Sequence, residues 1–138
     1  MAGPAVIEGG CLCGALRYQA HGAPAIAGFC CCADCRHVSG SGAIGFMMFP
    51  ASALLITGAA RQFRSTSIRG TQAVRNSCVI CASLIYGGTW GADEAHTVYA
   101  GSLDDPADFH PTIAIFNRDR PAWMTLPVGL TLFETMPA

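Results

Sequence analysis

The chain has 138 residues, 51% hydrophobic and only 12% charged, which suits one ordered domain with a sizeable core and excludes a disordered tail. The formal net charge is −1 and basic residues never cluster, so no electrostatic footprint for nucleic acid is visible. All eight cations are arginine and none is lysine, which excludes Schiff-base and lysine-nucleophile chemistry and leaves guanidinium as the fixed positive charge of any site.

In chain order, Leu12–Ala20 reads as a strand with Leu16 and Tyr18 on one face, and Ala25–Cys30 as a short apolar strand. Ala33–Val38 reads as one helical turn with Asp34 well placed near its start. The stretch 38–60 carries no charge, long enough to raise the question of a membrane span. Its glycines, serines and Pro50 argue instead for two buried strands, Ala43–Phe49 and Ala53–Thr57. Arg61–Ser67 and Gln72–Ser77 alternate polar and apolar residues around a turn at Gly70. Leu84–Gly87 and Thr97–Gly101 are further short strands. Asp105 caps a one-turn helix that has Pro106 at its first position. Thr112–Phe116 and Met124–Leu126 complete the set. Many short strands punctuated by Gly and Pro predict a mainly β, sandwich- or barrel-like fold in a single domain over 1–138. Met1–Gly10 has an acid and no positive leader region, so the expected location is the cytoplasm, with no membrane association.

Eight cysteines form three clusters: Cys11 with Cys13, then Cys30, Cys31, Cys32 and Cys35, then Cys78 with Cys81. A reducing compartment and C-x-C and C-x-x-C spacings favour metal chelation over disulfides. Zinc takes thiolates tetrahedrally, and so many thiolates suit two ions rather than one. Cys11, Cys13, Cys78 and Cys81 make a closed four-thiolate set that would pin the N-terminal region to the middle of the chain. Cys30, Cys32 and Cys35 supply three thiolates from one segment and leave a fourth position for water or a substrate thiol, which zinc would hold as thiolate. The alternative is a second structural site completed by Cys31 or His37.

Gly9-Gly10-Cys11-x-Cys13-Gly14 with Arg17-Tyr18, the C-x-C-x-x-C followed by Arg36 and Ser39-Gly40-Ser41, Arg75-x-x-Cys78-x-x-Cys81, Gly101-Ser-Leu-Asp-Asp105-Pro106 and Pro121-x-Trp123 run in order over most of the chain. Together they resemble the glutathione-dependent formaldehyde-activating enzyme family, which includes the centromere protein V group. The resemblance implies a β-tent fold, a structural zinc on Cys11, Cys13, Cys78 and Cys81, and a catalytic zinc on Cys30, Cys32 and Cys35. It also implies a carbon–sulfur lyase reaction joining a thiol such as glutathione to formaldehyde, or a related small electrophile. A fold does not fix a reaction, so a zinc-stabilised protein-binding module stands as the alternative, and a Cys30–Cys32 redox protein as a third class.

Two positions depart from the family pattern. Cys31 stands where the family usually has histidine, and in extended backbone it should point away from Cys30 and Cys32 as a buried thiol. Ala82-Ser83 follows the last pair where the family often has glycine, so that knuckle's geometry is expected to differ slightly. Arg36 and Ser41 are the candidate substrate-binding residues, Arg36 for a carboxylate or else in a surface ion pair with Asp34. Arg75 is expected beside the closed cluster in a structural role, the alternative being to neutralise the thiolates or bind a substrate carboxylate there. His37 is a general-base candidate near the open position, or a plain polar residue. His21, His96 and His110 read as turn or surface residues. Phe46, Phe49, Phe63, Trp90 and Trp123 read as core or pocket wall.

Overall fold

The structure is a computed structural model and describes residues 5–137. The first four residues, part of the leader reading, and Ala138 lie outside the described residues. Strands β1 (Val6–Gly10), β2 (Arg17–His21) and β5 (Leu54–Thr57) form a small antiparallel sheet in the order β1-β2-β5. The large sheet uses β3 (Ile26–Cys30), β4 (Ile44–Pro50), β6 (Ala60–Thr66), β7 (Gln72–Cys78), β8 (Leu84–Gly87), β9 (Ala95–Tyr99), β10 (Ile113–Ile115) and β11 (Thr131–Leu132). Its order is β11-β10-β3-β4-β9-β8-β7-β6, antiparallel except where β10 lies parallel to β3 and to β11. The mainly β fold of small sheets with cysteine knuckles is therefore as expected.

Successive side chains on a strand face opposite ways, and that alternation gives the large sheet two working faces. Met47 and Phe49 of β4 and His96 and Val98 of β9 are fully or almost fully buried on the inner face. There Met47, Phe49 and Val98 pack with Ile7, Leu16, Tyr18, Ala20 and Leu54 of the small sheet. Each large apolar side chain buried in that layer contributes roughly 1.5–3 kcal/mol. The other parity, Phe46 with Met48 on β4 and Thr97 with Tyr99 on β9, faces a cavity. Gly9 lets β1 enter the small sheet. A Cβ there would overlap the Ser102 carbonyl oxygen and the hydroxyl end of Tyr18, whose hydroxyl meets Ser102 Oγ at 2.8 Å.

The 38–60 stretch forms β4, a short 3-10 turn at Ala51–Ala53 and β5. No described helix is long and apolar enough to cross a membrane. Helix α1 spans Ala33–Ser39, and Asp105 caps the Pro106–Asp108 turn through the Ala107 N–H. Four strand assignments need correction. The first strand begins only at Arg17, because residues 11–16 form the turn that carries Cys11 and Cys13. Strand β9 ends at Tyr99, and Ala100–Ser102 turns as a 3-10 helix. Met124–Leu126 is not a strand; the last ladder is the two-residue β11. Val6–Gly10, to which the sequence assigns no strand, is β1.

Candidate metal centres

Two turns that close adjacent strand pairs supply the first cluster. Cys11 and Cys13 sit between β1 and β2, Cys78 ends β7, and Cys81 lies in the turn from β7 to β8. Their four sulfurs lie within 4.8 Å of one another. Cys13 Sγ is 3.6 Å from Cys11 Sγ and 3.7 Å from Cys78 Sγ. A tetrahedron with zinc–sulfur arms near 2.3 Å has edges of about 3.8 Å, so the set fits zinc. Backbone N–H groups point at the sulfurs, Leu16 to Cys11 at 3.2 Å and Ile80 to Cys78 at 3.4 Å.

Sequence reasoning missed Ser83. Its hydroxyl meets Cys81 Sγ at 3.2 Å and accepts the Leu12 N–H at 3.1 Å, linking the two turns behind the sulfurs. That hydroxyl, with the Ser83 backbone, lowers the Cys81 thiol to about 5. Ala82 adopts φ +64°, the left-handed conformation that glycine would take without strain. The knuckle therefore keeps the glycine geometry rather than departing from it.

The second cluster is built by one segment. Cys30 ends β3, Cys32 is the N-cap of α1, and Cys35 lies in its first turn, where its N–H donates to Cys32 Sγ at 3.3 Å. A strand end, a cap and a first turn thus bring three sulfurs within 4.8 Å of one another. Hydrogen bonds from Cys30 and Cys35 hold Cys32 well below the ordinary thiol range, and the same contacts push Cys30 up. Three sulfurs that converge in this way fit a soft divalent cation that displaces their protons. Cys31 and His37 stand outside the cluster. Cys31 is fully buried away from the cavity, and burial pushes its thiol up. His37 is exposed, with Nδ1 2.8 Å from the Ala33 carbonyl oxygen.

The three-cysteine cluster lies in the wall of a cavity of about 480 Å³ on the outer face of the large sheet. Small-molecule sites commonly measure about 300–1,000 Å³. Ile44, Phe46, Ile113, Ile115 and Phe116 give it an apolar floor, and the turn between β6 and β7 overhangs it with Ile68 and Arg69. Its charged lining groups are Asp34, Arg69, Arg75 and Asp93. Tyr99 stands beside Arg75 in that wall; burial raises its hydroxyl to about 12, so the proton stays on at neutral pH.

The candidate substrate residues divide differently from expectation. Arg36 and Ser41 do not line the cavity, and Arg36 forms no ion pair with Asp34. Arg75, expected beside the closed cluster, instead lines the cavity of the open one, and its positive charge reaches Cys35 and Tyr99. Phe49 is core and Phe46 cavity wall, whereas Phe63, Trp90 and Trp123 are exposed. His21 and His110 are exposed, but His96 is almost fully buried and bonds through Nδ1 to the Gly87 carbonyl at 3.0 Å.

A crystal structure of a Rhodobacter sphaeroides protein has a similar fold, with a TM-score of 0.51 and 20% identity, over 91% of this chain and 98% of that one. No curated protein matches the sequence. The family model described as glutathione-dependent formaldehyde-activating enzyme matches residues 6–119. With both cysteine clusters falling inside that match, the chain belongs to the glutathione-dependent formaldehyde-activating enzyme family.

Proposed function

We propose that the chain is a zinc-dependent carbon–sulfur lyase acting on the adduct of a thiol, such as glutathione, with formaldehyde or a related small electrophile. The observation that carries this reading is the contrast between the two clusters. Four sulfurs close one upon another, whereas three sulfurs border a cavity of small-molecule size. Zinc on Cys30, Cys32 and Cys35 would supply a Lewis-acidic position that favours the thiolate of a bound thiol at neutral pH. The chain's own contribution is placement. Cys32 is fixed by its cap geometry, and the apolar floor keeps water away from the reacting sulfur. In the forward direction the sulfur forms a bond to the aldehyde carbon, the carbonyl π bond opens, and the thiol proton ends on the new hydroxyl oxygen. All eight cysteines are free thiols in the structure, which suits a reducing compartment such as the cytoplasm.

The test is turnover of thiol–aldehyde pairs by wild type and Cys32→Ser, with adduct formation and cleavage followed by NMR. Wild type is expected to accelerate at least one pair above the spontaneous rate, and the folded variant to show none of that acceleration. A wild-type protein with two bound zinc ions and no acceleration of any pair would favour the binding-module alternative.

A further inference from the structure

Arg75 is about nine-tenths buried and lacks a carboxylate partner among the described residues, where the ion pairs are Arg17–Asp104 and Arg118–Asp119. Apart from the Tyr99 hydroxyl beside it, the guanidinium has one hydrogen-bond partner, Ser65 Oγ at 3.4 Å from Nη1, and it bonds no cysteine sulfur. None of its nitrogens is sealed away without a partner, so the remaining donors open into the cavity that Arg75 lines. The residue directly across the ladder is Gly87, which leaves the guanidinium uncovered on that side. A Cβ at Gly87 would lie 3.3 Å from the Tyr99 hydroxyl, so that hydroxyl borders the same space. A buried cation with free donors needs an anion, and a planar fork of N–H groups matches a carboxylate in two-point contact.

Given the thiol-adduct reading above, we propose that Arg75 is the specificity-determining residue. Its guanidinium holds a carboxylate of the substrate while the substrate's sulfur reaches the Cys30, Cys32 and Cys35 cluster across the apolar floor. Arg75 would then be the group that discriminates a carboxylate-bearing thiol, as glutathione is, from a neutral one.

The experiment compares two thiols that differ in the carboxylate, 3-mercaptopropionate and 2-mercaptoethanol, by isothermal titration of the zinc-loaded protein. Wild type is expected to bind 3-mercaptopropionate about 10- to 100-fold more tightly, the range for a hydrogen bond to a charged group. In Arg75→Met that advantage is expected to vanish while affinity for 2-mercaptoethanol changes less than threefold, and Arg75→Lys should retain part of it. Equal losses for both thiols in Arg75→Met would overturn the proposal, since Arg75 would then act on the sulfur cluster alone. Equal affinity of the two thiols for wild type would overturn it without any variant, and so covers the case in which Arg75→Met does not fold. Failure of both thiols to bind folded, zinc-loaded wild type would sink the thiol-adduct reading itself, and the carboxylate anchor with it.

Discussion

Ala82 sits at φ +64°, where a Cβ crowds the following carbonyl and costs roughly 1–2 kcal/mol. The conformation is enforced from both sides: Ala82 N–H bonds the Cys78 carbonyl at 3.0 Å, and Cys78 N–H bonds the Ser83 carbonyl at 2.9 Å. Ala82→Gly is therefore expected to stabilise the protein by about 1 kcal/mol, offset in part by the greater freedom of glycine in the unfolded chain. Thermal unfolding would record it as a rise of a few degrees, and a fall in midpoint would contradict the strain argument. A second residue-scale expectation concerns Asp104, which takes a bidentate contact from Arg17, with Nη1 2.8 Å from Oδ1. The hydrogen bond to Arg17 lowers the Asp104 carboxyl below its ordinary value. A lowered folded value means the pair contributes fully above the unfolded carboxylate range and is lost as pH falls through the folded value. Asp104→Asn should thus be less stable than wild type at pH 7, and the two should converge under acid. Both groups are partly exposed, so the gap is also expected to shrink with salt. A gap that is constant from pH 7 to pH 2 would refute the assignment.

At the scale of elements, local signals transferred from sequence to structure and register-dependent ones did not. Helix α1 and the Pro106 turn were legible because cap, proline and acidic first-turn residues lie within a few positions. The C-x-C and C-x-x-C pieces of the two clusters that could hold a metal were legible for the same reason, whereas the meeting of Cys11 and Cys13 with Cys78 and Cys81 spans 65 residues and needs the fold. Strand β1 was hidden because glycine at positions 9 and 10 argues against a strand until a neighbour needs close approach. Arg75 was misplaced because counting three residues from Cys78 ignores the strand between them. Extended chain rises about 3.3 Å per residue, which carries Arg75 roughly 10 Å from that knuckle. The ladder register also shifts between Asn76 and Ser77, so parity counted from Cys78 does not give the face of Arg75. The elements also predict how two cysteine variants differ. Serine is a strong N-cap, so Cys32→Ser keeps the bond to the Cys35 N–H and should change stability by less than about 1 kcal/mol. Cys78 is buried and joins turns from both sheets, so Cys78→Ser should leave little folded protein. Circular dichroism and urea unfolding of the two variants would check this, and equal destabilisation would erase the distinction between a holding cluster and a reactive one.

For the whole molecule, the four-cysteine cluster is a tie between sheets. Cys11 and Cys13 belong to the turn of the small sheet, and Cys78 and Cys81 to a turn of the large one. Otherwise the Leu12–Ser83 hydrogen bond and the apolar layer between the sheets join them there, with Leu16, Tyr18, Met47, Phe49 and Val98 at the centre of that layer. The three-cysteine cluster ties nothing of this kind, since its ligands come from one segment of β3 and α1 and border a cavity open to ligand. Graded chelation of protein loaded with two zinc ions should therefore proceed in two phases. The first zinc to leave should come from Cys30, Cys32 and Cys35, with the β signal in circular dichroism unchanged. The second should leave together with cooperative loss of structure, because metal affinity at the closed site is folding free energy. Cys32→Ser should remove the first phase and leave the second in place, which assigns the phases to their clusters. Release of both ions in one step with unfolding would mean that the reactive cluster also holds the fold, and release of both without unfolding would mean that the apolar layer suffices to join the sheets.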